Sequence, residues 1–286
     1  LALIAFIGSV FSPWYAARRR RLGDDGAPAE AHCAVNLSLY RLMPAPGRVR
    51  KLWCMTERSD QTLQRDARSL SIGPSRLRWQ GQDLLVTLDE WAVPWPRKLR
   101  GELCLMPAVG PATEFDLDAA GHHRWQPVAP RARIAVDLSS PGWRWQGDAY
   151  LDHNRGDRPL ERDFAHWQWQ RQQASDGLGS RIDYVTQPRQ GPARALHLSI
   201  GRDGRLQTLD PPATHTLSST AWGIDRTGHG PPPLAVAGTL ESGPFYARTL
   251  LQDADGRLAV HESLSLDRFQ QRWVQGLLPF RMPRWG

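Results

Sequence analysis

One stretch of the chain concentrates side chains that could do chemistry: Trp143 to Trp169, WRWQGDAYLDHNRGDRPLERDFAHWQW. It holds four tryptophans, a tyrosine, two histidines and several acids. Extended backbone puts residues two apart on one face, so Tyr150, Asp152 and Asn154 share a side while Leu151 and His153 take the other. Turn chemistry brackets them, with Gly147-Asp148 before and Arg155-Gly156-Asp157 after. An aspartate walled by tryptophan and tyrosine loses hydration, and its pKa rises. A carboxyl group that keeps its proton near neutral pH can serve as a general acid. The competing reading is a turn aspartate capping backbone amides. The pattern alone leaves both open.

The elements that must position these residues are strands. Leu1 to Ile7 is apolar throughout, as in a strand covered on both sides. Cys33 to Tyr40 alternates, with Val35, Leu37 and Leu39 opposite Asn36 and Ser38. Ser75 to Trp79, the turn Gln80-Gly81-Gln82-Asp83 and Leu84 to Leu88 read as a hairpin. Strand patterns recur at Leu99 to Met106, Arg133 to Leu138, Arg181 to Val185, Ala195 to Ile200, Leu234 to Leu240 and Leu258 to Leu266. Short strands at this spacing predict an all-β sandwich or barrel. Helical periodicity is confined to Ser59 to Leu70 and Asp267 to Leu277. Pro127 to Pro130 and Gly228 to Pro233 are candidate linkers or loops. The Ser-Ser-Pro-Gly turn after Leu138 places a domain boundary between residues 142 and 143, giving units 1–142 and 143–286.

Composition narrows the function. At 286 residues the chain can build one large domain or two modest ones. Thirteen tryptophans against seven phenylalanines point to an aromatic-lined interior or groove. The net charge of +7 permits an anionic partner. Apart from Arg18 to Arg21 the charge is scattered, and that run lacks the interleaved aromatics of a single-strand binder. This argues against nucleic acid. Cys33, Cys54 and Cys104 have no metal-type spacing, and an odd number argues against a disulfide framework, so a reducing compartment is expected. His122 and His123 lack the partners of a zinc site. Leu1 to Phe11 is too short to span a bilayer and lacks a signal peptide's leader and cleavage site. A first residue of Leu rather than Met suggests a start inside a longer parent chain.

Several long segments then identify a family. LALIAFIGSVFSPWYA, HCAVNLSLY, the WCMTER run at Trp53 to Arg58, LSIGPSRLRW, PWPRKLRGELCLMP, HHRWQPVAP, AYLDHNRGDRPLERDFAHWQW and LLPFRMPR all resemble the carotenoid 1,2-hydratases (hydroxyneurosporene synthases) of photosynthetic bacteria. The chain is also similar to the wider lipocalin-like proteins that carry a D-H-N-x-G signature. The resemblance implies two lipocalin-like antiparallel β-barrel or sandwich units with short helices. It also implies further strand sequence ahead of Leu1, so that the first unit lacks its opening strands.

The resemblance implies addition of water across the terminal C1–C2 double bond of acyclic carotenes such as neurosporene and lycopene, with no organic cofactor and no metal. The family's His-x-Trp and Tyr-x-Asp pairs fall on His123-Arg124-Trp125 and Tyr150-Leu151-Asp152. An isolated alkene is a poor base and needs a dry, strong proton donor, which makes Asp152 the expected acid. Trp125 and Tyr150 are expected to face the tertiary cation. His123 is expected to hold the water, take its proton or set the proton state of Asp152, and Asn154 to orient Asp152. Core packing is the plainer reading of both aromatics, and a solvated turn that of His123. Trp145, Trp167 and Trp169, with Asn154, are the candidate substrate-binding residues, although barrel core also accounts for the tryptophans.

A carotene lives in a bilayer. Arg18 to Arg21 and the tail Phe269 to Trp285 are candidates to dock on anionic lipid, at the cytoplasmic side of the intracytoplasmic membrane and beside other carotenoid-biosynthesis enzymes. Two further functions compete. A lipocalin-like carrier of an apolar ligand would keep the pocket and lose the chemistry, and a glycan binder would carry its tryptophans on an outer face.

Overall fold

The computed structural model describes residues 1–43, 49–108, 113–173, 179–201 and 203–285. It opens with β1 (Ala2–Phe6), helix α1 (Pro13–Leu22), β2 (Cys33–Leu42) and β3 (Val49–Arg58). Next come β4 (Leu63–Arg65), β5 (Ser69–Ile72), β6 (Ser75–Gln80), β7 (Asp83–Ala92), β8 (Arg97–Pro107), β9 (Phe115–Asp116), β10 (His123–Ser140) and β11 (Trp143–Gly156). A short helix α2 (Leu160–Asp163) leads to β12 (Phe164–Gln173), β13 (Ser180–Pro188), β14 (Arg194–Ile200) and β15 (Leu206–Thr208). β16 (Thr214–Leu217), β17 (Arg226–His229), β18 (Ala235–Ser242), β19 (Tyr246–Gln252) and β20 (Leu258–Ser265) follow. Helices α3 (Leu266–Phe269) and α4 (Arg272–Leu277) and the strand β21 (Arg284–Trp285) close the chain.

Among the described residues these strands form four sheets. One is the four-stranded β1-β2-β3-β21, and one the two-stranded β16-β17. The largest runs β11-β10-β8-β7-β6-β5-β4, with β9 on β10, and the third runs β15-β14-β13-β12-β20-β19-β18. The fold is all-β with short helices, as expected. The sheets are open and stacked, and among the described residues none closes into a barrel.

Alternation accounts for the strands. In β7, Leu84, Val86, Leu88 and Ala92 are buried while Thr87 and Trp91 are exposed. Gly81, at φ 62°, makes the two-residue turn between β6 and β7. Each fully buried leucine contributes about 1.5–3 kcal/mol. The four-stranded sheet is the middle layer. Val35, Leu37 and Leu39 pack with Leu88, Leu99 and Leu138 of the largest sheet, while Ala34 and Met55 pack with Tyr184, Leu264 and Phe269 on the other side. β2 is therefore buried on both faces from Cys33 to Leu39. Its polar residues are satisfied internally: Asn36 Nδ2 donates to the Cys54 carbonyl at 2.9 Å, and Ser38 Oγ to Glu241 at 2.8 Å.

Local chemistry overrides periodicity in four places. Ser59 to Leu70 is not a helix but a single 3-10 turn, Asp60–Thr62, followed by β4 and β5. Asp66 accepts the backbone N–H groups of Arg68 and Ser69 at 2.7 and 2.8 Å, a turn that competes with helix. The helical stretch near Asp267 to Leu277 breaks into α3 and α4. The Arg18 to Arg21 run, to which periodicity assigns no helix, ends helix α1, where Ser12 Oγ caps Trp14 N–H and Tyr15 N–H and the arginines meet the negative end of the dipole. Pro127 to Pro130 is no linker and lies within β10. The turn at Ser140 to Gly142 joins β10 and β11 into one hairpin, so the largest sheet runs on to residue 156 and the seven-stranded sheet begins at residue 164.

Candidate active site

The β10–β11 hairpin positions the candidate acid. β11 is regular, while β10 carries two extra residues, one between Gln126 and Ala129 and one between Ala129 and Ala132. Pro127 and Pro130 cause this, because neither has an N–H to give the ladder. Ahead of the bulges His123 lies opposite Gly156 and Trp125 opposite Asn154. Opposed residues share a face. His123, Trp125, Asn154, Asp152 and Tyr150 therefore line one side of the hairpin. Gly156 is required here, since a Cβ would fall 2.6 Å from His123 Nδ1.

Asp152 sits at the centre of that side. Trp125 Nε1 donates to its Oδ2 at 2.9 Å, and the Tyr150 hydroxyl donates to the same oxygen at 3.2 Å. Oδ1 takes no side-chain hydrogen bond among the described residues. The side chain is half-buried. Burial pushes its pKa from 3.8 up to about 6; the bonds from Trp125 and Tyr150 pull down, and the charge of Glu262 pushes further up.

The opposite wall is the seven-stranded sheet. Trp169 of β12 packs on Tyr150 with ring centroids 5.4 Å apart. Tyr184 of β13 packs against Trp125 at 5.3 Å and Trp167 at 5.8 Å, and its hydroxyl donates to Asn154 Oδ1 at 3.3 Å. Arg171 lies 5.2 Å from the Tyr150 ring centre and donates to the Pro130 carbonyl, in the bulged part of β10, at 3.2 Å. The structure thus brings Trp125, Tyr150, Asp152, Asn154, Trp167 and Trp169 together.

His123 and Trp145 stand apart from Asp152. His123 is 2 % exposed, and its Nε2 pairs with Asp163 at 2.8 Å. Its backbone N–H goes to Asp118 and its ring rests on Phe164 at 4.9 Å. No hydrogen bond joins it to Asp152 among the described residues. Trp145 has the opposite parity on β11 and packs into the first core. There it lines a cavity of about 540 Å³ with Val86, Leu103 and Val136.

Two charged residues of the opposite wall escaped the sequence reading. Glu262 and Arg248 face the same space, and Arg248 Nε donates to Glu262 Oε1 at 2.7 Å. A signal was present. Glu262 falls at the apolar parity of its strand, between Val260 and Leu264, and Arg248 between Tyr246 and Leu250. A charge in an apolar register points inward, where it must be paired or put to use. Among the described residues no group of His, Cys, Asp and Glu could hold a metal ion.

Comparison with known proteins agrees with the motif resemblance over the whole chain. Residues 3–286 match the family model described as carotenoid hydratase CrtC. An acyclic carotenoid 1,2-hydratase of Thiocapsa roseopersicina is 42% identical over 295 residues, spanning 100% of this chain and 69% of that protein. An acyclic carotenoid 1,2-hydratase of Rubrivivax gelatinosus is 41% identical over 289 residues, spanning 99% of this chain and 69% of that protein. Among solved structures, a candidate AttH protein of Nitrosomonas europaea superposes with a TM-score of 0.51 at 12% identity, covering 82% of this chain and 80% of that one. That likeness is one of fold alone.

Proposed function

The chain belongs to the carotenoid hydratase CrtC family, and from that premise we propose that it is an acyclic carotenoid 1,2-hydratase acting by acid-catalysed hydration. The observation that carries the mechanism is the Asp152 carboxyl. Both of its donors engage Oδ2, which leaves Oδ1 to carry the proton. With a pKa near 6, an appreciable share of the protein holds that proton at neutral pH. Transfer from Oδ1 to C2 of the terminal double bond leaves a tertiary cation at C1, and water captures it there.

Trp125 is fully buried between Phe115 and Tyr184. Its part is to fix Oδ2 through Nε1. Tyr150 shares that task, and the rings of Trp167, Trp169 and Tyr184 supply faces for the cation, each worth about 0.5–2 kcal/mol. Asn154, held by Tyr184, closes one end of the row. His123, clamped to Asp163, is a positioning residue that anchors the β10 end from which Trp125 projects. Neurosporene and lycopene are the expected substrates, and the chemistry proposed calls on no cofactor.

Access to a bilayer substrate is the other half of the proposal. No helix among the described residues is long and apolar enough to cross a membrane. Helix α1 packs on the C-terminal segment, where Trp14 Nε1 donates to the Met282 carbonyl at 2.9 Å. In these two segments Phe280 is 76 % exposed and Trp14, Trp273, Leu277 and Trp285 are also exposed, as are Arg20 and Arg21 of α1. Aromatics beside free guanidinium groups suit the surface of an anionic bilayer. On this reading the protein works at the cytoplasmic face of the intracytoplasmic membrane, within reach of other carotenoid-biosynthesis enzymes.

The test supplies lycopene or neurosporene in liposomes prepared in heavy-oxygen water. Wild type is expected to add one labelled hydroxyl at a terminal C1. Binding of carotene with no alcohol formed would make the protein a carrier and end the enzyme reading.

A further inference from the structure

The wall opposite Asp152 carries a second carboxylate. Glu262 of β20 is the register partner of Trp169 on β12 and of Arg248 on β19. Directly opposed side chains share a face, with Cβ atoms roughly 4.5–5.5 Å apart. That face meets β11, because the Trp169 ring lies on Tyr150. The charge of Glu262 acts on both Asp152 and Tyr184.

Glu262 is held by one oxygen only. Arg248 Nε donates to Oε1, while Oε2 takes no hydrogen bond among the described residues and the side chain is 22% exposed. Arg248 is itself fixed from behind. Its Nη1 donates to the Tyr40 hydroxyl at 2.6 Å, and Tyr40 donates to Glu241 at 2.7 Å. Lys51 completes that network by donating to the other Glu241 oxygen at 2.8 Å. The two facing carboxylates thus differ in environment. Glu262 has a buried guanidinium to balance its charge, and among the described residues Asp152 has none, which suits one to act as base and the other as acid.

Hydration of an alkene needs both roles, and on the hydratase reading above the base is unassigned because His123 is committed to Asp163. We infer that Glu262 is the general base: its Oε2 holds the attacking water and takes its proton as the C1–O bond forms. The electron count closes. The Asp152 Oδ1–H bond breaks and the C1=C2 π pair forms the new C2–H bond. A lone pair of water forms C1–O, and the electrons of one water O–H bond stay on oxygen as the proton moves to Glu262. Return of that proton to Asp152 through solvent restores both groups. During the step two anions flank the cation, which lowers its energy.

The test is Glu262→Gln beside wild type and Asp152→Asn, all with lycopene liposomes in heavy water. Wild type makes alcohol carrying deuterium at C2. Glu262→Gln is expected to cut alcohol formation by about 100-fold or more while recovered lycopene gains deuterium at C2, because the cation still forms and collapses back. Asp152→Asn gives neither alcohol nor label. Glu262→Asp, which keeps the carboxylate, retains measurable alcohol formation. If Glu262→Gln does not fold by circular dichroism, rescue of Glu262→Ala by added formate decides, and no rescue overturns the assignment. Alcohol from Glu262→Gln at the wild-type rate overturns it, as does joint loss of alcohol and label, which would make Glu262 a prop for Asp152. A wild type that makes no alcohol fails differently, since it removes the hydratase reading itself.

Discussion

The two faces of the seven-stranded sheet carry the same kinds of side chain and use them in opposite ways. Across the strands, one register row reads Arg248, Glu262, Trp169 and Tyr184, and the next reads Thr249, His261, Gln170, Asp183 and His197. The second row is polar, and every member is buried. It is covered by the β16–β17 hairpin and stitched to it. Gln170 Nε2 donates to the His229 carbonyl at 2.5 Å and its Oε1 accepts the His229 N–H at 3.0 Å. His261 Nε2 meets the Thr227 carbonyl at 3.0 Å, and His197 Nδ1 meets Asp183 at 2.8 Å. Among the described residues the first row leaves Glu262 Oε2 without a hydrogen bond, and it opens on Asp152. Burial of polar groups therefore does not by itself mark a site. Unpartnered atoms do not mark one either, since His261 Nδ1 and both ring nitrogens of His229 lack a partner among the described residues; the distinguishing feature is what each row faces, Asp152 on one side and the β16–β17 hairpin on the other.

The largest effect that can break this contrast is at Asp152. Asp152→Asn is expected to lower turnover by about a thousandfold, within the range for loss of a general acid, as read by product mass. It is also expected to stabilise the protein. The folded pKa lies above the ordinary value, so the folded state binds more protons than the unfolded one between about pH 4 and 6, and stability falls as pH rises through that window. Removing the titration should recover about 3 kcal/mol at pH 8 and nearly nothing at pH 4, read from urea midpoints. A variant that is inactive and less stable at pH 8 would put Asp152 on the structural side of the comparison.

Gln170→Ala tests the other face. It strips two hydrogen bonds from the His229 backbone and should cost about 2 kcal/mol. Turnover well below the melting temperature should not change. A thermal melt and an initial rate on the same sample separate the two, and a lost rate in a folded protein would join the faces functionally.

Acidity divides them as well. On the catalytic face, turnover should fall about tenfold per pH unit above the pKa of the acid, near pH 6, if protonated Asp152 is the working form. On the covered face, burial pushes His261 down to about 4 and also lowers His229. Their unfolded forms take up protons first, so their contribution to stability is present above about pH 6.5 and is lost as pH falls toward 4. In Asp152→Asn, which lacks the opposing titration of the carboxyl, urea midpoints should rise with pH across pH 4–8, opposite to the slope of the wild-type pH–rate profile.

Much of this was legible in the sequence, for identifiable reasons. Strand alternation found β2, β6, β7, β8, β13, β14 and β20, because one period of two dictates which residues face inward. The Tyr150-Leu151-Asp152 motif put the acid and its donor on one face by the same rule. Trp125 was reachable only through the family motif, because its place depends on a hairpin and on two proline bulges that periodicity reads as a linker. Helix α1 was hidden by four arginines, whose stabilising term is the helix dipole and not an apolar stripe. Glu262 was hidden for a plainer reason: it looks like any acid in a strand until its parity is compared with Val260 and Leu264.

The smallest predicted effect concerns Trp145, and it carries the contrast of faces over to β11. Trp145 lies in the aromatic segment that first marked the site, seven residues before Asp152. An odd separation along a regular strand puts the two on opposite sides, and β11 is regular because both extra residues sit in β10. Trp145 packs into the first core, beside Val136 and Leu103. Trp145→Phe should therefore change turnover by no more than about twofold and shift stability by roughly 1 kcal/mol, as for a partly buried aromatic trimmed at one edge. Trp169→Phe, on the wall that holds Tyr150, should cost turnover more than stability. Equal losses of turnover in the two variants would mean that the substrate channel passes through the β10–β11 ladder and uses both of its faces, and parity would then be the wrong guide to this site.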